Sequence, residues 1–530
     1  MGRIVRWVAG TACLVALGVV RAPVAAPPDD IFVMAKDVGD VITLDPAEVF
    51  EFTAGEIVAN VYDRLMMFEP ESPGQLAGGV AESYAISDDG KTIVFRIRDG
   101  LRFHSGNPVR PEDVEFSLER VVKLNRTPAF IVTQFGWNAD NVEDLIQVVD
   151  SRHLRIEITV GISPGLVLNA LSAGVASVVD RELVLAHAED GDLGHAWLKL
   201  HSAGSGPFRL GKWKANEYIA LEANPHYRHG APAMRRVFLQ HVPEPSAQRL
   251  LLERGDVDMA RNLTPDQIKA LAGHADLAVD SYPKGAIVYL AANAAHPVLG
   301  NSTVVQALRH AIDYQGMADS FLGGQFAVHQ AFWPAGLWAG YTATPYELDI
   351  EKAGSLLAAA GLEPFEVRID TLTSSPFPQI AQSLQATFAQ AGIRSRIVMQ
   401  DGRTLWPRYR ARKHELIIAR WSPDYMDPHS NADAFARNPD NRPEARLAGV
   451  LAWRNAWASE DINAKTIEAR DTRDLDAREQ MYLELQMRLQ TEGPYAIMFQ
   501  QIDQVVRRRH VEGFVSGVNF DHVYYRMVTK

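Results

Sequence analysis

An apolar strand pattern runs directly into an aromatic residue and a carboxylate in the segment Glu415-Leu-Ile-Ile-Ala-Arg-Trp-Ser-Pro-Asp-Tyr-Met-Asp-Pro428. Residues 416–419 are all apolar, which is typical of a parallel strand buried on both faces. Pro423 and Pro428 interrupt a strand ladder or a helix interior, so Trp421 and Asp424 are predicted to lie on a turn at the carboxyl end of the strand. Ligands bind at that edge in open α/β sheets.

Trp421 and Asp424 have side chains that suit a ligand with an ammonium group. The indole ring supplies a flat apolar wall, and the carboxylate supplies a fixed negative charge. The alternative is structural: Trp421 belongs to a core and Asp424 caps the next helix or turn. The segment alone leaves both interpretations open.

The segments before residue 415 predict alternating strands and helices. A strand is expected over 365–369, a helix over 378–391 and a strand over 393–399, followed by an irregular segment broken by Pro407. This order predicts a parallel sheet with right-handed crossovers, which places Trp421 and Asp424 at its ligand-binding edge. Elsewhere, helices are expected over 56–68 and from Ser302 to about Met317, and strands over 495–499 and 505–506.

Length and composition indicate a folded protein with more than one lobe. The chain has 530 residues, of which 47% are hydrophobic and 22% charged, and a net charge of -12. One ordinary core cannot take up that length, so two or three lobes are expected. The negative charge disfavours nucleic acid and anionic membranes as partners. The basic run at residues 507–510 is interpreted as a solvated strand end.

Residues 1–26 have the pattern of a secretory signal peptide. Arg3 and Arg6 precede an apolar run over residues 7–20, and small residues stand before a cleavage site expected after Ala26. An uncleaved anchor helix is the alternative. The single cysteine, Cys13, lies in this segment, so the mature chain would have neither disulfides nor thiolate metal sites. We expect a free protein outside the cytoplasm, most simply in a periplasm.

Motifs that suggest an enzyme fail on geometry. His414-Glu415 would need a second histidine at position 418 for a zinc protease, and Ser205 lacks the strand before it that a nucleophile elbow requires. Asp256 and Asp258 are alternate residues that are expected to face solvent. The sequence therefore predicts no catalytic residues, no metal site and no cofactor.

Several blocks together resemble a known family, and they span nearly the whole mature chain. They are residues 81–90, 95–100, 103–114, 204–208, 224–227, 249–258, 307–313 and 421–428. With these blocks the chain resembles the family 5 solute-binding proteins of bacterial ABC importers, which include dipeptide- and oligopeptide-binding proteins. The resemblance implies an α/β fold: a two-lobed periplasmic binding protein of type II with an extra α+β domain in its N-terminal half.

The expected domain boundaries follow from this resemblance. Lobe I comprises residues 27–70, 199–285 and 491–530, and lobe II comprises residues 286–490. The extra domain comprises residues 71–198, including a stretch at 134–150 that matches no motif. The resemblance also implies hinge closure of the lobes around a buried ligand, as a monomer.

The resemblance implies a role for each residue of the Trp421 segment. In the peptide binders, the aspartate after the tryptophan holds the peptide's ammonium group, and the preceding strand pairs with the ligand backbone. Larger-peptide binders place an arginine for the ligand carboxylate where this chain has Ile418, which disfavours long peptides; Arg420 is a possible substitute. The candidate ligand-binding residues are Asp424, Trp421, Arg420, Ala419, Ile418, Val38 and Tyr425.

The function implied is the periplasmic substrate-binding component of an ABC importer, which passes short peptides to membrane permease subunits. Family members also bind nickel complexes, oligosaccharides and opines, so a non-peptide solute is an alternative. A secreted hydrolase is a second alternative, and presentation of the ligand to a chemoreceptor is a third. The sequence does not distinguish ligand identity or peptide length.

Overall fold

The computed structural model describes residues 27–71, 75–362 and 364–530, and the expected signal peptide lies outside them. Lobe I begins with β1 (Ile31–Lys36) and α1 (Phe52–Val61). The elements up to residue 198 are β2 (Met66–Phe68), β3 (Leu76–Gly78), β4 (Ala81–Ile86), β5 (Thr92–Ile97), α2 (Pro111–Leu124), α3 (Phe130–Thr133), α4 (Val142–Leu145), β6 (Ile146–Asp150), β7 (His153–Glu157), α5 (Pro164–Ala170), α6 (Arg181–Ala186) and α7 (His195–Leu198).

The next segments are those expected to return to lobe I and to enter lobe II. The lobe I elements are β8 (Phe208–Lys214), β9 (Tyr218–Ala223), β10 (Arg236–His241), α8 (Pro245–Arg254), β11 (Met259–Ala260) and α9 (Pro265–Leu271). A long strand, β12 (Leu277–Ala292), leads into lobe II. Short 3-10 helices lie at Thr127–Ala129, Gly174–Ala176 and Pro443–Ala445.

Lobe II contains the predicted alternation of strands and helices. Its elements are α10 (Ser302–His310), α11 (Tyr314–Asp319), β13 (Phe326–Val328), α12 (Ile350–Ala359), β14 (Phe365–Leu372), α13 (Phe377–Gln390), β15 (Ile393–Gln400), α14 (Gly402–Arg410), β16 (Leu416–Trp421), α15 (His429–Phe435), α16 (Leu451–Arg454), α17 (Glu460–Asp471) and α18 (Leu475–Glu492). The chain ends in β17 (Tyr495–Arg508), β18 (Val515–Ser516) and β19 (Val523–Tyr524).

A large mixed sheet runs through both lobes. In the described residues its strand order is β15-β14-β16-β12-β17-β11-β1-β10-β9-β8, with β13 beside β17. Strand β14 pairs in parallel with β15 and with β16, which confirms the predicted parallel unit. Strand β12 pairs antiparallel with both β16 and β17, so the complete sheet is mixed. A separate antiparallel sheet, β4-β5-β7-β6, forms the extra domain.

The two long strands β12 and β17 connect the lobes. They pair along most of their length, and the register shifts between Pro283 and Ile287. At this shift Gly285 donates a backbone hydrogen bond to the Val518 carbonyl (2.8 Å). A Cβ atom at Gly285 would lie 3.0 Å from Pro423 Cδ, so the crossing point packs tightly against the segment that carries Asp424.

Separate hydrophobic cores correspond to the lobes and the extra domain. One cluster fills the extra domain, and it includes Phe135 and Trp137 from the stretch that matched no motif. Trp137 Nε1 donates to the Glu157 carbonyl (2.7 Å), which explains a buried indole there. Val184 and Leu198, at the end of the segment expected to form the extra domain, pack in a core of lobe I.

Both predicted bounds of the helix expected over 56–68 are wrong. Helix α1 starts earlier, at Phe52, and the chain becomes extended at Tyr62. Leu65 and Met66 follow in non-helical conformation and pack in the core of the extra domain. The helical spacing of apolar residues continues past the end of α1 because Leu65 and Met66 are also buried. They pack in the core of the extra domain, however, whereas the apolar face of α1 packs in a core of lobe I.

Other predicted boundaries also differ. Asn301, not Ser302, caps α10 by accepting a hydrogen bond from the Thr303 amide (2.9 Å), and Asp313 starts a separate helix, α11. The segment around Pro407 is helical because burial of Leu405 and Tyr409 holds two turns together despite the missing donor. The two expected C-terminal strands are one strand, β17.

Candidate functional site

Trp421 and Asp424 lie where β16 leaves the sheet. Trp421 Nε1 donates to Asn431 Oδ1 (3.2 Å), and its ring meets Phe435 edge-on with centroids 6.2 Å apart. The Asp424 amide donates to Ser430 Oγ (2.9 Å). The turn is therefore tied to α15 on both sides without the Asp424 carboxylate, and Arg454 Cζ lies 5.9 Å from the centre of the indole ring.

A buried ion pair between Asp427 and Arg478 stabilises the segment directly after this turn. Arg478 donates to both carboxylate oxygens of Asp427, at 2.7 and 2.8 Å, and both side chains are about 1% exposed. Such a bidentate pair is rigid, and losing one partner would leave an uncompensated charge. Asp427 thus has a structural role, whereas Asp424, three residues earlier, is free for a ligand.

The turn forms one wall of a cavity of about 250 Å³ between the lobes. Lobe II contributes Arg420 to Asp424, and lobe I contributes Val49 to Phe52, Gly55 and Asn519 to Asp521. The extra domain contributes Pro128, Ile131 and Ala173 to Val175. Because all three units contribute, a bound ligand would bridge them, and most of the surface it would meet is apolar.

The Asp424 carboxylate has no partner of its own in the described part of the chain. No described group donates a hydrogen bond to it, and no described cation lies within 4 Å. Burial raises the pKa of this carboxyl from 3.8 to about 7, and the charge of Arg454 acts weakly in the opposite direction. An ammonium group placed in the cavity would supply the missing counter-charge.

Two other carboxylates line the cavity. Burial raises the pKa of Glu51, which precedes α1. Asp521 accepts a hydrogen bond from the Gly174 amide (3.1 Å) and pairs with Arg64 (3.0 Å). Asp521 therefore ties lobe I to the extra domain, whereas Glu51 and Asp424 are the cavity-lining carboxyls whose pKa burial raises.

The structure distributes the predicted site residues unevenly. Arg420, Trp421 and Asp424 line the cavity. Ile418 and Ala419 are fully buried in β16, outside the lining. Val38 and Tyr425, the remaining two candidates, also lie outside it: Val38 packs in a core of lobe I, and Tyr425 reaches into the core of the extra domain and contacts Gln134 (3.3 Å).

Sequence reasoning missed most of the other walls of the cavity. Phe50 and Phe52 flank an acid at the start of a helix, a pattern that could have suggested a site. Residues 173–175 and 519–521 gave no local signal, because they reach the cavity only through the folding of distant segments. Edge-on contact between Phe50 and Phe130 (6.2 Å) joins two of these segments.

Ser205 and His414, from the motifs considered for catalysis, form hydrogen bonds with other side chains of the fold. Ser205 Oγ donates to Asp63 (2.8 Å), and His414 Nε2 bonds Asn455 Oδ1 (2.9 Å), where burial lowers the histidine pKa to about 3. Among the described residues, no group of three or more His, Cys, Asp or Glu could hold a metal ion. Likewise, no helix in the described ranges is long and apolar enough to cross a membrane.

The comparisons with known proteins agree with this geometry. Residues 75–442 match the family described as bacterial extracellular solute-binding proteins, family 5 middle. A probable D,D-dipeptide-binding periplasmic protein of Escherichia coli, DdpA, is 28% identical, covering 94% of each chain. A probable ABC transporter periplasmic-binding protein of the same organism, SapA, is 26% identical, covering 95% of each chain.

Solved structures share the fold. The periplasmic binding protein DppA of Helicobacter pylori, in complex with peptide STSA, has a TM-score of 0.78 at 23% identity, covering 94% of this chain and 98% of that one. A dipeptide-binding protein of Pseudoalteromonas sp. SM9913, in complex with Met-Leu, has a TM-score of 0.77 at 21% identity, covering 94% and 100%. The predicted two-lobed fold is confirmed, and the chain belongs to family 5 of the bacterial extracellular solute-binding proteins.

Proposed function

We propose that this protein captures short peptides, dipeptides above all, between its lobes in the periplasm and delivers them to the permease of an ABC importer. Membership in a solute-binding family supports capture without chemistry. Two relatives support the periplasm and a peptide ligand, because their names describe a probable D,D-dipeptide-binding periplasmic protein and a probable di/tripeptide-binding protein.

The observation that carries the proposal is the Asp424 carboxylate without a counter-charge in an apolar cavity. Burying a charge without a partner costs several kcal/mol, so such groups are uncommon unless a ligand pairs with them. The peptide's α-amino group is positively charged near neutral pH and fits this requirement. Trp421 beside it adds a flat apolar wall that favours the same cation.

The size of the cavity supports a small ligand. Its volume of about 250 Å³ is slightly below the range of about 300–1,000 Å³ usual for small-molecule sites. We therefore expect compact dipeptides to fit with the lobes closed and longer peptides to require wider opening. This expectation agrees with the absence of the long-peptide arginine at Ile418.

Strand β16 supports recognition of a peptide backbone. Its parallel pairing with β14 ends at Ile417, so Arg420 and Trp421, which line the cavity, have no described partner strand on that side. An extended peptide can add to such an edge through main-chain hydrogen bonds, which give affinity regardless of side chains. The edge reaches the cavity at Arg420.

A peptide panel tests the proposal. The purified protein is titrated calorimetrically with L-Ala-L-Ala, D-Ala-D-Ala, tri-alanine and tetra-alanine, and the ligand is then recovered for mass spectrometry. We expect a dipeptide to bind more tightly than the longer peptides and to be recovered intact. Failure of every peptide to bind would overturn the proposal, and recovery of hydrolysed peptide would favour the secreted hydrolase.

A further inference from the structure

We infer that Arg454 is a positioning residue for ligand capture: it holds the Trp421 indole at the cavity wall and balances the charge of the Asp424 carboxylate without touching the ligand. Trp421 and Asp424 line the cavity, whereas Arg454 is not among the lining residues. The inference rests on the proposed function, because Arg454 acts on the ligand only through these two side chains.

Arg454 is a buried cation without an acidic partner in the described part of the chain. It is 9% exposed, and it is the last residue of the short helix α16. Its Nε atom donates to the Ala448 carbonyl (2.6 Å), and no described carboxylate forms an ion pair with it. Arginines are rarely buried without an acid, because removing a charge from water is costly. A negative charge further away would offset part of that cost.

Two aromatic rings hold the guanidinium group. Arg454 Cζ lies 5.2 Å from the centre of the Tyr409 ring and 5.9 Å from the centre of the Trp421 ring. Asn455 fixes the end of α16, because its Nδ2 atom donates to the Leu451 carbonyl (2.8 Å) and to the Tyr409 hydroxyl (3.0 Å). The flat guanidinium group is suited to stacking on a ring. The indole wall is thus supported by groups that do not line the cavity themselves.

Asp424 is the acid whose charge Arg454 supports. Burial raises the pKa of Asp424 to about 7, and the positive charge of Arg454 acts to lower it. The buried tyrosines near Arg454 do not supply a negative charge, because burial raises the pKa of Tyr289, Tyr409 and Tyr495. Two buried charges of opposite sign therefore stabilise each other from a distance.

The lack of direct contact between these two charges suits a receptor. An arginine in contact with the Asp424 carboxylate would occupy it and compete with the ligand's ammonium group. No such ion pair is present among the described residues, so the carboxylate stays available. A more distant arginine favours the ionised carboxylate and leaves its oxygen atoms to the ligand.

The test measures affinity against pH. Wild-type protein and Arg454→Gln are titrated calorimetrically from pH 6 to 8.5 with L-Ala-L-Ala and D-Ala-D-Ala, and the tighter ligand is compared. Glutamine keeps a donor for the Ala448 carbonyl and removes the charge. Loss of an opposite charge that is not in contact should raise the pKa of Asp424 by about one unit. The ratio of wild-type to variant affinity should then fall about sevenfold between pH 6 and pH 8.5.

The same titration measures the support of the indole ring. At pH 8.5 Asp424 is mostly ionised in both proteins, so the ratio that remains there does not come from its proton. We expect this remaining ratio to be about 2- to 5-fold, because the cation no longer stacks on Trp421. A loss of indole support alone would lower affinity by the same factor at every pH.

Other charged groups cancel in the ratio. The ligand's amino group titrates near pH 8, but it does so equally for both proteins. The remaining charged groups of the cavity wall are unchanged in the variant; they are Arg420 on the Asp424 segment, and Glu51 and Asp521 from lobe I. A pH dependence of the ratio therefore reports the charge of Arg454.

Two further variants separate the charge from other effects of the substitution. Arg454→Lys keeps the positive charge and loses the planar group, so its ratio should be about 2- to 5-fold and constant from pH 6 to 8.5. Arg410→Gln is the matched control. It removes the same charge from an exposed residue of α14 outside the cavity lining, and it should leave the affinity and its pH profile unchanged.

The outcomes separate this inference from the proposed function. A ratio that is constant with pH in Arg454→Gln would overturn the inference and leave peptide capture standing, and so would an equal change in Arg410→Gln. A ratio that changes with pH in Arg454→Lys would also overturn it, and this result decides the matter if Arg454→Gln does not fold. Failure of the wild-type protein to bind either dipeptide at any pH would overturn both.

Discussion

Replacing Asp424 with asparagine should weaken ligand binding and stabilise the free protein. Asparagine keeps the shape of the side chain and removes its charge. The folded protein raises the pKa of this carboxyl from 3.8 to about 7 through burial. A shift of that size corresponds to at most about 4 kcal/mol. Because the side chain also meets water in the cleft, we expect a gain in the free energy of unfolding of about 1–2 kcal/mol.

The sign of this effect depends on pH. A carboxyl whose pKa is raised by folding lowers stability as pH rises from about 4 through 7, because the unfolded chain releases its proton first. Asparagine does not titrate. Asp424→Asn should therefore match the wild-type protein near pH 4, gain stability up to pH 7 and keep that gain at pH 8.

Binding should change in the opposite direction. Removing one partner of a buried charge pair costs about 2–5 kcal/mol, so affinity for an alanine dipeptide should fall about 30-fold or more. Calorimetric titration measures the affinity, and denaturant unfolding at pH 4 and pH 8 measures the stability. Asp433→Asn is the control, since Asp433 pairs with Arg437 outside the cavity. Unchanged affinity, or lower stability at pH 8, would refute the reasoning.

Three further results are expected. Affinity of the wild-type protein for an alanine dipeptide should rise from pH 5 to about 7.5 as Asp424 loses its proton, and fall above about pH 8 as the ligand's α-amino group loses its own; calorimetry giving a flat profile would contradict this. Tyr425→Phe removes the 3.3 Å contact with Gln134 between lobe II and the extra domain, and titration should show affinity for the dipeptide lower by about 2- to 10-fold. Asp427→Asn leaves Arg478 buried without a full counter-charge, which should lower the free energy of unfolding by about 3–5 kcal/mol in a denaturant titration; a loss under about 1 kcal/mol would argue against the pair's role.

The sequence predicted the parallel unit and the location of one cavity wall. An apolar strand followed by two prolines places its next residues at the sheet edge, and Trp421 and Asp424 lie there. Alternation of strand and helix was equally informative, because β14, β15 and β16 pair in parallel as expected. These predictions succeeded because they depend on residues close together in the chain.

Features that depend on distant segments were not predictable. Asp258 was expected to face solvent, but it is buried, and it accepts a hydrogen bond from the Val33 amide and pairs with Lys530, each at 2.7 Å. The basic run at 507–510 is similarly anchored, with Arg507 paired to Asp280 (2.5 Å). Neither partner could be inferred from local sequence, because each becomes a neighbour only through the sheet.

The cavity wall that contains Phe52 and Phe520 also depends on segments that are distant in the chain. Phe52 and Phe520 are separated by most of the chain, yet their rings stack at 3.8 Å, and Phe52 also contacts Arg420. Periodicity identifies a buried or exposed ring, but it does not identify the ring's partner. The expected domain boundaries and the roles of Val38, Ile418, Ala419 and Tyr425 as ligand contacts stay predictions.

Calorimetric titration of the wild-type protein with an alanine dipeptide and with its N-acetyl derivative tests most directly whether Asp424 pairs with an ammonium group. Acetylation removes the ligand's positive charge and leaves its carboxylate and the protein unchanged. We predict that the free dipeptide binds at least about 30-fold more tightly than the acetylated one. Equal affinity for the two would contradict the central claim.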